Sequence, residues 1–106
     1  MSEEFNKISN QLETVIFPAE INEKINSEVR EIALKVANSF KNVGLLAIEM
    51  FLTTDNQILV NEVAPRPHNS GHFTIEGTMT SQFEQHIRAI LNLPLGSTKL
   101  ICAGLM

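Results

Sequence analysis

The sequence predicts an α/β arrangement of the α+β kind, in which a mainly antiparallel sheet carries helices packed on it. Three observations predict it. Apolar residues recur at three-and-four spacing over residues 22–41. Two apolar runs, at 43–52 and 58–63, are separated by the polar stretch Thr53-Thr54-Asp55-Asn56-Gln57. Ser81 opens a further periodic segment with Glu84 three residues on. The first and third are helix signals and the second is a hairpin signal.

In chain order, residues 1–13 are polar and without periodicity and are expected to be flexible, although Phe5 and Ile8 could dock. Thr14-Val15-Ile16-Phe17 reads as a short strand because β-branched and aromatic residues cluster there, and Pro18 stops it. A helix follows over 22–41, with Asn22 as N-cap and an apolar face of Ile25, Val29, Ile32, Ala33, Val36, Ala37 and Phe40. Glu23 and Glu28 precede Lys35 and Lys41, the order the helix dipole favours. If Asp55-Asn56 form the centre of the hairpin turn, Thr54 pairs with Gln57 and Glu49 lies directly opposite Glu62. Residues 64–80 hold no helical period and read as an ordered loop. Ser81 then caps a helix whose apolar face is Phe83, Ile87, Ile90 and Leu91, and Leu93-Pro94-Leu95-Gly96 ends it. The mostly apolar segment from Lys99 to Met106 stops abruptly, which suggests a chain that continues in nature.

Size and charge bound the function. With 106 residues and 43% hydrophobic content, the chain has material for one domain, and is short for an enzyme holding a nucleotide, a metal and a second substrate. The net charge of -4 is spread along the chain without a basic cluster, so nucleic acid is an unexpected partner. A single cysteine, Cys102, excludes an intrachain disulfide and fits a reducing, cytoplasmic setting. No run approaches the roughly 20 apolar residues of a membrane span, and the acidic, polar start is unlike a secretion leader.

Two constellations carry chemistry. Glu49 and Glu62 each sit inside an otherwise apolar run, and like charges facing across an antiparallel pair are destabilising. A hard cation such as magnesium, typically held by one or two carboxylates with phosphates and water, would neutralise them; alternatively both point into solvent. Immediately beyond lies Pro65-Arg66-Pro67-His68-Asn69-Ser70-Gly71-His72. The prolines restrict the backbone around Arg66, whose planar fork suits a carboxylate, bicarbonate or phosphate. The alternative is a rigid turn whose His68 and His72 satisfy local backbone groups. A zinc site on these two histidines is disfavoured, since Gly71 and the prolines exclude a helix that would align them. Glu76 is open between a pocket acid and a solvated carboxylate, and His86 reads as a surface residue of its helix.

The runs Glu49-Met50-Phe51, Val60 to His72, and Thr80-Ser81-Gln82-Phe83-Glu84-Gln85-His86 resemble the 5-(carboxyamino)imidazole ribonucleotide synthetases, a family of ATP-grasp ligases, over approximately Thr14 to the end. The resemblance implies the carboxy-terminal part of an ATP-grasp domain. It also implies ATP-dependent carboxylation of 5-aminoimidazole ribonucleotide by bicarbonate through carboxyphosphate, in purine biosynthesis, with magnesium and ATP. By that resemblance Glu49 and Glu62 bind the metal, and with Asn61 they handle the nucleotide. Arg66 meets bicarbonate, and His68 and Asn69 line the carboxyphosphate and substrate pocket, Arg66 and His68 acting in catalysis. Many ATP-grasp enzymes carry an asparagine two residues after the second glutamate, where this chain has Ala64. Asn61 cannot simply replace it, because strand alternation points it to the opposite face. The upstream nucleotide-clamping and amino-terminal domains and the small terminal domain of the family have no counterpart in the 106 residues, so the chain alone is expected to be inactive. Exposed sheet edges make a homodimer an expectation. Another ATP-grasp carboxylase, a formyl-phosphate ligase, or a non-catalytic module binding an anion or partner are the alternatives.

Overall fold

A computed structural model of the chain describes residues 1–5, 8 and 12–106. In place of a flexible lead, Ser2–Phe5 forms strand β1, antiparallel to β2, Leu12–Phe17. The correction has a physical source: β1 supplies a ladder for β2 that its own polar composition does not advertise. Asn6, Lys7 and residues 9–11, which fall in the same expected flexible stretch, lie outside the described residues. On the other edge of β2 lies β5, Gly104–Leu105, so the sheet order is β1-β2-β5. Val15 and Met106 exchange both backbone hydrogen bonds beyond it, at 2.9 Å each.

Helix α1, Glu23–Phe40, begins as expected: Asn22 Oδ1 accepts from the Ile25 amide at 2.9 Å, satisfying one of the donors a helix start leaves orphaned. Of its apolar face, Ile25 is buried, Val29 to Ala37 are half-buried, and Phe40 is exposed instead of packed. Lys41, in the left-handed region at φ 49°, ends the helix.

Strands β3, Ala47–Leu52, and β4, Ile58–Ala64, form the expected hairpin, but as a separate two-stranded sheet and not the centre of a larger one. The turn also differs. Thr53, not Thr54, pairs with Gln57, its amide donating to the Gln57 carbonyl at 2.9 Å. Asn56 takes φ 62° after a turn closed by its amide on the Thr53 carbonyl, the three-residue loop that ends in a left-handed residue. That turn places Leu52 opposite Ile58 and Met50 opposite Val60, one residue away from the expected register. A bulge between Glu49 and Met50 then restores it, and Glu49 faces Glu62 after all.

Residues 64–80 contain more helix than the sequence predicts: a 3-10 turn at Asn69–Gly71 and a single helical turn, α2, at Thr74–Gly77. Both are too short to show a period. Helix α3, Gln82–Ile90, starts where predicted, with Ser81 Oγ accepting from the Glu84 amide at 3.2 Å. Asn92, at φ 54°, turns the chain and the Leu93 amide reaches back to the Arg88 carbonyl at 2.8 Å, an end that satisfies a late helical carbonyl. The apolar core among the described residues is small: Val15, Phe17, Ile25 and Ala64. Phe17 stacks on Phe73 with centroids 4.3 Å apart, which fastens the three-stranded sheet to the loop. No helix among the described residues is long and apolar enough to cross a membrane.

Candidate functional site

The bulge decides the geometry of the carboxylates. Two consecutive residues of β4 oppose one of β3, so alternation breaks at Asn61, and its side-chain amide reaches Glu49 Oε2 at 3.3 Å. This corrects the expectation that Asn61 faces away from the pair. The amide offers Glu49 a donor that the strand alternation alone would not supply.

Into the space between the two carboxylates projects the imidazole of His68. Its Nε2 lies 3.5 Å from Glu49 Oε1 and 4.0 Å from Glu62 Oε1. The first is at the outer limit of a hydrogen bond and the second is beyond it, so His68 is only loosely held by the carboxylates. His68 and Glu49 side chains are 11% and 17% exposed, whereas Glu62 at 56% opens to solvent. The site therefore has a closed side at Glu49 and an open side at Glu62.

On its other nitrogen, His68 Nδ1 meets Ser70 Oγ at 2.9 Å, and Ser70 is buried. The Glu3 carboxyl lies within electrostatic reach of Ser70, His68 and Glu49. Burial pushes the Glu3 carboxyl above its ordinary value; the Ser70 hydroxyl pulls it back, the Glu49 charge raises it and His68 lowers it. Glu3 thus stands at the edge of the same cluster, and sequence reasoning missed it because it falls in the stretch expected to be flexible. Beside Glu49, a cleft of about 580 Å³ runs between β1, the start of α1 and β3, lined by Phe5, Ile21, Ile25, Val29, Ile48 and Met50 among others.

Among the described residues, none of the others singled out from the sequence pairs with Glu49 or Glu62. Arg66 is exposed, its Nη1 donates to the Pro67 carbonyl at 3.0 Å, and among the described residues no carboxylate pairs with it. Asn69 is exposed and its Oδ1 accepts from the Ser70 amide at 3.0 Å, which shapes the 3-10 turn. His72 is exposed and contacts Gln82 Nε2 at 3.0 Å through Nδ1. Glu76 is exposed. His86 is not a plain surface residue: its Nδ1 accepts from the Leu45 amide at 3.0 Å, tying α3 to the base of the hairpin.

As a donor set, the cluster offers two facing carboxylates and few other ligands; among the described residues no group of three or more His, Cys, Asp or Glu side chains is arranged to hold a metal ion. Two carboxylate oxygens fit a magnesium ion that draws its remaining ligands from phosphates and water, and do not fit an all-protein cage.

Residues 3–83 match the model of the ATP-grasp domain. The N5-carboxyaminoimidazole ribonucleotide synthase of Bacillus subtilis is 54% identical over 91 residues, which cover 86% of this chain and 24% of that protein. Its namesake in Mycobacterium tuberculosis is 50% identical over 88 residues, 82% of this chain and 20% of the relative. The crystal structure of the N5-carboxyaminoimidazole ribonucleotide synthetase from Thermotoga maritima superposes with a TM-score of 0.84 at 62% identity, over 87% of this chain and 26% of that one. The N5-carboxyaminoimidazole synthase of Aspergillus clavatus, solved with ADP and 5-aminoimidazole ribonucleotide, superposes with a TM-score of 0.88 at 38% identity, over 97% of this chain and 28% of that one. The chain spans about a quarter of the length of these relatives.

Proposed function

The chain belongs to the ATP-grasp family, and we propose that it forms the metal- and carboxylate-handling part of a ligase that carboxylates 5-aminoimidazole ribonucleotide. The observation that carries this reading is the Glu49–Glu62 pair, brought into register by a bulge, with His68 between its carboxylates. The relatives' names supply the substrate class.

In this reading Glu49 and Glu62 would hold magnesium, and Asn61 steadies Glu49 through its amide. Magnesium, when bound, offsets the negative charge that builds on the phosphates during transfer. Arg66, whose guanidinium has no carboxylate partner among the described residues, orients bicarbonate by its planar fork. Bicarbonate oxygen bonds to the γ-phosphorus, the bond to the ADP oxygen breaks, and carboxyphosphate forms. The amine of 5-aminoimidazole ribonucleotide then bonds to the carboxyl carbon, inorganic phosphate leaves, and the amine gives up a proton. His68 and Asn69 line the space where this occurs. Catalysis here is mostly positioning and charge stabilisation. The reading implies a cytoplasmic setting. The outer edges of β3 and β4, which pair with no other strand among the described residues, support self-association as a dimer, which sedimentation tests.

A segment exchange tests the function. The matching 91-residue stretch of the Bacillus subtilis enzyme is replaced by that of this chain, and ADP release is measured with bicarbonate, with and without 5-aminoimidazole ribonucleotide. Release that depends on the ribonucleotide is expected. A folded hybrid that binds ATP and shows no such dependence would overturn the reading.

A further inference from the structure

Helix α3 carries two glutamines that grip backbone in the same way. Gln85 takes the Gly96 amide on Oε1 at 2.9 Å and gives Nε2 to the Gly96 carbonyl at 2.7 Å. Gln82 does this to His68: Oε1 accepts from the His68 amide at 3.0 Å and Nε2 donates to the His68 carbonyl at 2.7 Å. Its second Nε2 hydrogen faces His72 Nδ1 at 3.0 Å. Gln82 is 6% exposed, so these bonds form away from water, where an unmade one is costly. Its own amide is bound by Thr74 Oγ1 at 2.9 Å, which in turn donates to the Gly71 carbonyl at 2.6 Å.

We propose that Gln82 is the positioning residue of this site: its buried carboxamide holds His68 by both sides of its backbone and so aims the imidazole between Glu49 and Glu62. Among the described residues no strand ladder supports His68, whose backbone is extended at φ -124° just before the 3-10 turn. The carboxamide supplies the pair of bonds that a neighbouring strand would otherwise give. Gly71 makes room for it, since a Cβ there would stand 2.5 Å from Gln82 Oε1 and 2.8 Å from its Cδ. Two substitutions at different places in the chain therefore remove one contact.

The placement stands on geometry, while its consequence for turnover rests on the ligase reading. In the 106-residue chain, amide hydrogen exchange by NMR is compared for Gln82→Met, Gly71→Ala and, as a control on the same helix, Gln85→Met. The first two should speed exchange of the His68 amide by about 10-fold or more relative to amides of α1 and β3, and the third should not. Equal changes at His68 and in α1 and β3 for both Gln82→Met and Gly71→Ala would overturn the proposal. In the hybrid enzyme, Gln82→Met should lower kcat by about 10-fold while KM for ATP stays within about 2-fold, because aim and not nucleotide binding is lost. A rise in KM for ATP with unchanged kcat would also overturn it. A hybrid inactive even with Gln82 present would count against the ligase reading alone, since the exchange measurement still decides what Gln82 does.

Discussion

The two halves of the site are held by different physics. Glu49 and Glu62 stand on a hairpin whose backbone ladder sets their register, while the side chains of that hairpin are poorly covered: Phe51, Leu52, Leu59 and Val60 are all exposed. His68 stands on a loop without a ladder, yet that loop and the helix after it contain the buried polar residues Ser70, Thr80 and Gln82, and no buried side-chain nitrogen or oxygen among the described residues lacks a partner. A ladder tolerates exchange of its side chains, because main-chain groups make the bonds. A loop built from side-chain bonds does not. Substitutions should therefore be felt structurally on the loop side and chemically on the hairpin side.

Phe17→Ala should give the largest effect, since Phe17 stacks on Phe73 and packs against Gly77 and Gly104, where added Cβ atoms would come within 3.0 and 2.6 Å of its ring. A loss of about 3–5 kcal/mol in urea unfolding is expected; a loss below about 1 kcal/mol would show that the loop stands without its apolar floor. Glu62→Gln should cut ADP release by the hybrid enzyme by about 100-fold, close to 2.7 kcal/mol of barrier. The urea midpoint should hold or rise, because a like-charge pair is relieved. Unimpaired turnover would remove Glu62 from the site and erase the contrast between the halves.

Smaller effects sharpen it. Thr53→Ala removes the hydroxyl that accepts from the Gln57 amide at 2.8 Å and donates to Asp55 Oδ1 at 2.6 Å, and should cost about 1 kcal/mol by the same denaturation. A larger loss would mean the ladder leans on its turn. Glu3→Gln should shift stability by no more than about 0.5 kcal/mol, with a pH signature. A carboxyl raised by folding binds its proton more tightly in the folded chain. Its contribution is therefore most favourable below the unfolded value and fades as pH rises through the raised folded one. Denaturation at several pH values should show that decline in the parent chain and a flatter profile in Glu3→Gln. Identical profiles would place Glu3 outside the cluster.

Much of the fold was legible where the signal is local. The spacing from Ile25 to Ala37, the caps Asn22 and Ser81, and the apolar runs around Thr53–Gln57 are statements about neighbours in the chain, and α1, α3 and the hairpin follow from them. The Glu49–Glu62 opposition was reached through a two-residue turn, whereas the molecule reaches it through a longer turn offset by a bulge. The outcome agreed because two one-residue shifts cancel. The strands β1 and β5 were not legible: Ser2–Phe5 is polar, Gly104–Leu105 is two residues long, and each is a strand only because β2 is beside it.

The sequence by itself determined helices α1 and α3 and the hairpin with its two facing glutamates, because capping, periodicity and residue type act over a few positions. Only the tertiary structure decided that Asn61 turns towards Glu49, that Ser70 and Glu3 stand behind His68, and that Gln82 grips the His68 backbone from 14 residues away. These contacts depend on a bulge and on long-range hydrogen bonds, whose partners leave no periodic trace along the chain.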